Sequence, residues 1–195
     1  RPEALITVSN DPWGEITRIA ERYRCDSLVL GVGYLGESLM TGPLERLMSR
    51  VEGEVVLLRA ASDWKLDHAR KVLVPAGGRR DQSAVRARLI GNLCRAGARE
   101  ITYLRVLPTT TDSAAERHVR RELRKLAKDE APRVSTASVT LRDDMIAEVI
   151  ERAVDCDLLI LGLQRLGRRR KVFGKIVLEI AQKTTCPLLM ISRRS

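Results

Sequence analysis

The chain has 195 residues, 44% of them apolar, and a formal net charge of +10. That leaves room for one or two small domains with an ordinary core, and no run approaches the roughly 20 apolar residues that a membrane-spanning helix needs. Cys25, Cys94, Cys156 and Cys186 form no C-x-x-C pair, which points to reduced structural thiols and a cytoplasmic setting rather than to disulfides or a metal site. With Arg first and no signal peptide, the chain reads as a piece of a longer polypeptide. Residues 1–62 contain seven Lys+Arg and nine Asp+Glu, whereas the remainder contains 28 and 16. A basic second part raises nucleic acid or anionic lipid as partners, but six aromatics supply few stacking platforms, so nucleic acid ranks last.

In chain order, residues 4–8 read as a strand. Asp11-Pro12 reads as an N-cap and first helical position, with Ile16, Ile19, Ala20 and Tyr23 on one face of the helix that follows. Residues 27–30 form a strand, Gly42-Pro43 opens a short helix carrying Leu44, Leu47 and Met48, and residues 55–58 form the strand that closes the first part. After a polar connector containing Trp64 come a strand at 71–75, a helix over 82–96 and a strand over 101–107. A charged helix over 113–128 has a narrow stripe of Val119, Leu123 and Leu126, and a strand over 134–139 and a helix from Asp143 succeed it. The wholly apolar run ending Leu159-Ile160-Leu161-Gly162 reads as a strand buried on both faces. A Gly- and Arg-rich loop, a helix from Gly174 and a strand over 188–191 complete the chain.

Cys25-Asp26-Ser27-Leu28-Val29-Leu30-Gly31 matches Cys156-Asp157-Leu158-Leu159-Ile160-Leu161-Gly162 at an offset of 131, and residues 54–58 resemble 187–191. A repeat of that length indicates duplicated domains rather than a solenoid. Strands alternating with helices give a doubly wound parallel sheet. The first part aligns with only the last three strands and two helices of the second, and a fragment of that size buries little alone, so upstream residues or the second domain must complete it.

Val72-Leu73-Val74-Pro75 and Cys186-Pro187-Leu188-Leu189-Met190-Ile191 resemble the first and closing strands of the universal stress protein family. The run after Gly162 resembles the family's ATP motif, Gly-x2-Gly-x9-Gly-Ser/Thr. The resemblance implies an α/β, five-stranded doubly wound parallel sheet of the adenine-nucleotide alpha-hydrolase type. It implies a complete domain at 68–195, preceded at 1–62 by the C-terminal half of another. Val74-Pro75-Ala76-Gly77-Gly78, without the Asp that single-domain members usually carry, is similar to tandem copies in the cytosolic tails of amino-acid permeases or antiporters. ATP is the implied cofactor, held in a crevice between residues 74–78 and 162–175. Its candidate contacts are Val74, Ala76, Gly77, Gly162, Arg165, Gly167, Gly174 and Lys175.

This chain departs from the motif. Arg165 stands at the second glycine, Gly174 falls one position early, and Lys175 replaces the hydroxyl residue. If the second glycine must take a positive φ, Arg165 there costs about 1–2 kcal/mol. The first copy has Tyr34 at the second glycine and Pro43 after Gly42, and no nucleotide is expected in it. Against this stands the charge of Arg165, Arg168, Arg169, Arg170, Lys171 and Lys175, with no acid from 162 to 175. Two readings stay open: an anionic phosphate ligand held by side chains, or a solvated basic loop that has lost ATP.

Neither His68 nor His118 has ligand spacing, Asp143 and Asp144 suit the first turn of a helix, and Asp81 suits a helix N-cap. No catalytic constellation is present. The leading function is a non-enzymatic cytosolic regulatory or interaction module, part of a larger membrane transporter, whose tandem domains (or two copies) pair through residues 55–58 and 188–191. The alternative is an ATP-binding sensor or slow ATPase.

Overall fold

The computed structural model describes residues 4–36, 42–77, 83–166, 170–172 and 174–192, with backbone alone at 83, 164–166 and 170–172. The elements are α1 (Pro12–Arg22), β1 (Ser27–Val32), α2 (Pro43–Arg50), β2 (Glu54–Arg59), a 3-10 turn (Leu66–His68), β3 (Lys71–Pro75), α3 (Ser83–Ala96), β4 (Glu100–Leu107) and α4 (Ser113–Glu130). There follow β5 (Ser135–Leu141), α5 (Met145–Ala153), β6 (Leu158–Gly162), β7 (Gln164–Leu166), β8 (Arg170–Val172), α6 (Lys175–Lys183) and β9 (Leu188–Ser192).

Aspartates start three of the helices. Asp11 accepts from the Gly14 amide ahead of Pro12, Asp112 from Ala114 and Ala115, and Asp144 from Ala147. Asp143 instead accepts from the Thr109 amide and hydroxyl, tying the exit of β4 to the start of α5. Burial follows the apolar spacing. Leu44, Leu47 and Met48 of α2 are fully buried, whereas β1 alternates between half-buried and exposed positions.

The five-stranded parallel sheet expected from the sequence is part of a larger one. Seven strands run in the order β1-β2-β9-β6-β3-β4-β5, parallel throughout except between β2 and β9. Joining β2 to β9 satisfies two apolar edges that would otherwise face water. One face carries α1, α2, α5 and α6 over a core containing Leu47, Leu57, Leu159 and Met190. The other carries α3 and α4 over Val74, Ile90, Tyr103, Leu158 and Ile160, with Trp64 packed at its margin.

The strand expected over residues 4–8 is absent. Its composition suits a strand, but Leu5, Ile6 and Val8 are 60%, 91% and 97% exposed and no sheet edge receives them. Without a neighbour to pair its amides an extended segment gains nothing from strand geometry.

The order of elements over residues 12–59 parallels that over 145–192. α1, β1, α2 and β2 correspond to α5, β6, α6 and β9. Leu57 and Met190, equivalent residues 133 positions apart, are also cross-strand partners, and Val56 pairs with Ile191 as Leu58 pairs with Leu189. A local two-fold axis therefore passes through the Leu57–Met190 pair, perpendicular to the sheet.

Gly53 leads into β2 where a Cβ would come within 2.5 Å of the Cys25 carbonyl oxygen, so a side chain there would push β1 and β2 apart. Across the joint, Arg59 donates to the carbonyls of Ala181 (2.9 Å) and Thr184 (2.7 Å) and to that of Cys186, closing the C-terminal end of α6 from the other repeat. Arg59→Met keeps the stem but orphans these carbonyls. It is expected to cost about 2 kcal/mol and lower Tm by about 4–8 °C in a thermal melt; an unchanged Tm would show that the clasp carries no weight.

Candidate functional site

Strands β3 and β6 lie side by side for only two residue pairs, Val72 with Leu158 and Leu73 with Leu159. Beyond Leu73, β3 follows β4, with Val74 opposite Tyr103 and Pro75 opposite Leu104. Beyond Leu159, β6 follows β9 as far as Gly162, which pairs with Ile191. The two central strands therefore part at their C-terminal ends. β3 leads towards α3 on one face and β6 towards α6 on the other, which is the switch-point arrangement that opens a crevice in doubly wound sheets.

The lips are well anchored. The Ala76 amide donates to the Leu104 carbonyl (2.8 Å), and the Ala76 carbonyl accepts from Arg105 Nη1 (2.7 Å). Arg105 Nε is buried and finds no hydrogen-bond partner among the described residues. Beside it is a cavity of about 630 Å³ in the groove between α3 and α4, lined by Ala76, Gly77, Ala84, Ala87 and Arg105 and, for the larger part, by α4 from His118 to Glu130; no described residue of β6, the hairpin or α6 lines it. Small residues just after β3 and on α3 leave room on the side facing α4. Gly77 is exposed, and nothing lies within 4 Å of the position a Cβ would take there.

The opposite lip is not the irregular loop the sequence suggests. β7 and β8 form an antiparallel hairpin, with Gln164 opposite Val172, Arg165 opposite Lys171 and Leu166 opposite Arg170. β8 packs against α2, so the first repeat supports the basic segment of the second. Arg165 has extended backbone in β7, and the positive-φ strain that a glycine-to-arginine change would bring does not arise. Gly174 caps α6 without a side-chain bond, and Lys175 is its exposed first residue, adding an ammonium where the helix already presents free amides.

The fold thus gathers Ala76, Gly77, Gly162, Arg165, Gly174 and Lys175 at one end of the sheet. Val74 is different: its side chain is fully buried between β3 and the α3–α4 layer, so only its backbone borders the crevice. Gly167 lies outside the described residues, as do Arg168, Arg169 and Asp81. Sequence reading missed Arg105, although a lone charge within the strand expected over 101–107 was a usable signal. It also missed the network beneath the cavity. Glu130 takes a two-point ion pair from Arg86 (2.8 and 2.7 Å) and a hydrogen bond from the Tyr103 hydroxyl (2.9 Å). Burial and the neighbouring Glu130 charge raise the Tyr103 pKa, which keeps that hydroxyl a donor.

The repeated Cys-Asp phrase is structural in its second copy. Asp157 accepts from the amides of Arg70 and Lys71 (3.0 and 2.8 Å), stitching the start of β3 to β6 at the end away from the crevice. Burial pushes the Cys186 thiol up to about 12 and raises that of Cys156, so both stay protonated at neutral pH. His68 and His118 are exposed and far apart in the fold, on the 3-10 turn and α4. Among the described residues no three His, Cys, Asp or Glu side chains converge to hold a metal, and no helix is long and apolar enough to cross a membrane.

No family model and no curated protein matches the chain. Solved structures do. A universal stress protein from Archaeoglobus fulgidus in complex with dAMP superimposes with a TM-score of 0.52 at 14% identity, covering 64% of this chain and 99% of its own. A second universal stress protein from Archaeoglobus fulgidus reaches 0.59 at 15% identity, covering 95% of this chain and 66% of its own. The fold is that of the universal stress proteins. The cytoplasmic domain of a prokaryotic cation chloride cotransporter also shares it, with a TM-score of 0.59 at 10% identity over 93% of this chain and 69% of that one. The universal stress protein fold accounts for the strand order β9-β6-β3-β4-β5, to which β2 and β1 add a mixed extension.

Proposed function

We propose that the chain is a nucleotide-binding module of universal-stress type, taking an adenine nucleotide in the crevice where β3 and β6 part. That parting, beside an open cavity at Ala76 and Gly77, is the observation that carries the reading. The fold neighbour solved with dAMP supports the ligand class. The sugar–base end lies over Ala76 and Gly77, where small residues leave room. The phosphates run towards the hairpin and the start of α6, where Arg165 and Lys175 replace the donors of a glycine nest. The residues gathered at the crevice supply positioning, and the module acts as a sensor that reports nucleotide.

A calorimetric titration with ATP at physiological salt tests it. Binding in the micromolar range is expected, weakened about ten-fold or more by Lys175→Ala, since a charge-assisted contact is worth about 1.5–3 kcal/mol. Gly77→Val should weaken binding similarly while leaving Tm in place, because open space surrounds that position. No heat at millimolar ATP would sink the proposal.

A regulatory role within a larger transporter is the second reading. It is supported by the cotransporter's cytoplasmic domain, whose fold neighbourship extends through both repeats of this chain. The two readings join naturally if nucleotide occupancy is what such a module reports.

A further inference from the structure

The two helical layers differ in charge. α3 and α4 together carry nine Lys+Arg and four Asp+Glu, with no acid on α3, whereas α1, α2, α5 and α6 on the opposite face carry seven and six. The excess is concentrated on one line of α4. Arg117, Arg121, Arg124 and Lys128 follow the i, i+4, i+7, i+11 spacing that puts side chains on one face of a helix, and all four are exposed. At 1.5 Å per residue the line is about 16 Å long. It lies opposite the buried stripe of Leu123, Ala127 and Glu130, and so forms the outer ridge of its layer.

The acids of α4 stand away from this ridge. Glu130 is buried against Arg86, Glu116 is paired with Arg120, and Glu122 and Asp129 line the groove towards α3. Among the described residues no carboxylate forms an ion pair with the four ridge cations. The neighbouring like charges Arg117–Arg121, Arg121–Arg124 and Arg124–Lys128 weaken the helix unless anions sit against them. Lys125 and, on α3, Arg95 are exposed on the same layer and widen the line into a band. Neither helix has an exposed large apolar side chain, so nothing on this face inserts into hydrocarbon. α4 also has no Phe, Tyr or Trp to stack on bases and no Asn or Gln to read them. A band of cations without such readers suits a plane of anionic headgroups.

We propose that the outer face of α3 and α4, centred on Arg117, Arg121, Arg124 and Lys128, docks on a membrane surface rich in anionic phospholipid. α4 lies flat on the headgroups, whose phosphates and carboxylates supply the counter-charge that the chain does not place on the ridge. The sheet stands behind it, and α1, α2, α5 and α6 face away from the lipid. Attachment of this kind is peripheral and purely electrostatic: each cation brought to the surface adds a similar increment, and salt weakens the whole.

Cosedimentation with vesicles tests this. The chain should bind vesicles of phosphatidylcholine containing about one-third phosphatidylserine, release them as salt is raised, and ignore phosphatidylcholine alone. Arg121→Gln with Arg124→Gln should weaken binding by about 30-fold. Arg22→Gln with Arg50→Gln removes the same charge from exposed positions on the opposite layer and should change it by less than about three-fold. Both double variants should melt within about 1–2 °C of the parent chain, because the side chains replaced are in solvent. No binding to the anionic vesicles, or equal losses in the two double variants, overturns the proposal. A loss confined to Arg165→Gln with Lys171→Gln assigns the lipid to the hairpin and overturns it as well. So does tighter binding of duplex DNA or single-stranded RNA than of vesicles through Arg121 and Arg124, which would assign the ridge to nucleic acid.

Discussion

Arg86→Met should destabilise the fold by about 3–5 kcal/mol, because it leaves the Glu130 carboxylate buried without its ion-pair partner. The side chains of Arg86 and Glu130 are only 11% and 4% exposed, so water cannot compensate as it does for a surface pair. In urea unfolding the midpoint should fall with the slope unchanged. Adding Glu130→Gln should recover most of the loss: the amide carries no charge and its oxygen can still accept from the Tyr103 hydroxyl. If the single variant costs less than about 1 kcal/mol, or the double variant recovers nothing, the pair is not the closed unit its geometry describes. Since Glu130 and Arg105 both line the cavity at Ala76 and Gly77, the loss should also weaken ligand binding there.

The second large effect is expected at the joint between the repeats. Leu57 is fully buried on the local two-fold axis, opposite Met190. Leu57→Lys places an ammonium among apolar side chains with no carboxylate partner, at a cost of about 4 kcal/mol or more. The first repeat should give way before the second, because α1, β1, α2 and β2 reach the rest mainly through β9 and the hairpin. Limited proteolysis should cut between residues 60 and 70 and leave a fragment that begins near β3. Leu57→Met, similar in volume, should cost less than about 1.5 kcal/mol and give no such fragment. A lysine variant as resistant as the parent chain would contradict the burial of this joint.

Much of the architecture was legible because local and tertiary demands agree. Leu158 to Leu161 is apolar at every position and is buried on both faces, as the run required. Asp11 and Asp112 stand where helices begin, and the caps form. The failures have a common cause, which is that a strand is defined by its neighbour. Residues 4–8 have the right composition but no partner. The two short strands around Arg165 have poor composition but pair with each other, and that local pairing turned an expected loop into a hairpin. The number of strands was misjudged for the same reason, since the sheet's count depends on pairings that join its two repeats. At the site, glycine spacing drew attention to Gly162 and Gly174, but the cavity lies between α3 and α4, where alanines on one side and the charged helix on the other carry no motif. Nor could the charges of Arg86 and Glu130 be read as buried, since each sits among solvated charges on helices that show water most of their surface.

The antiparallel joint between β2 and β9 fixes more than the way the repeats adhere. Because β1 and β2 run against the other five strands, the segment leaving β1 through Gly33 and Tyr34 emerges at the opposite rim of the sheet from the crevice between β3 and β6. The molecule therefore presents two outlets that point away from each other, one bordered by Tyr34, 79% exposed, and the other by the basic hairpin. A body attached at one pole and a small molecule at the other are linked by the sheet and by α2, which follows the segment leaving the first rim and packs against β8 of the hairpin at the second.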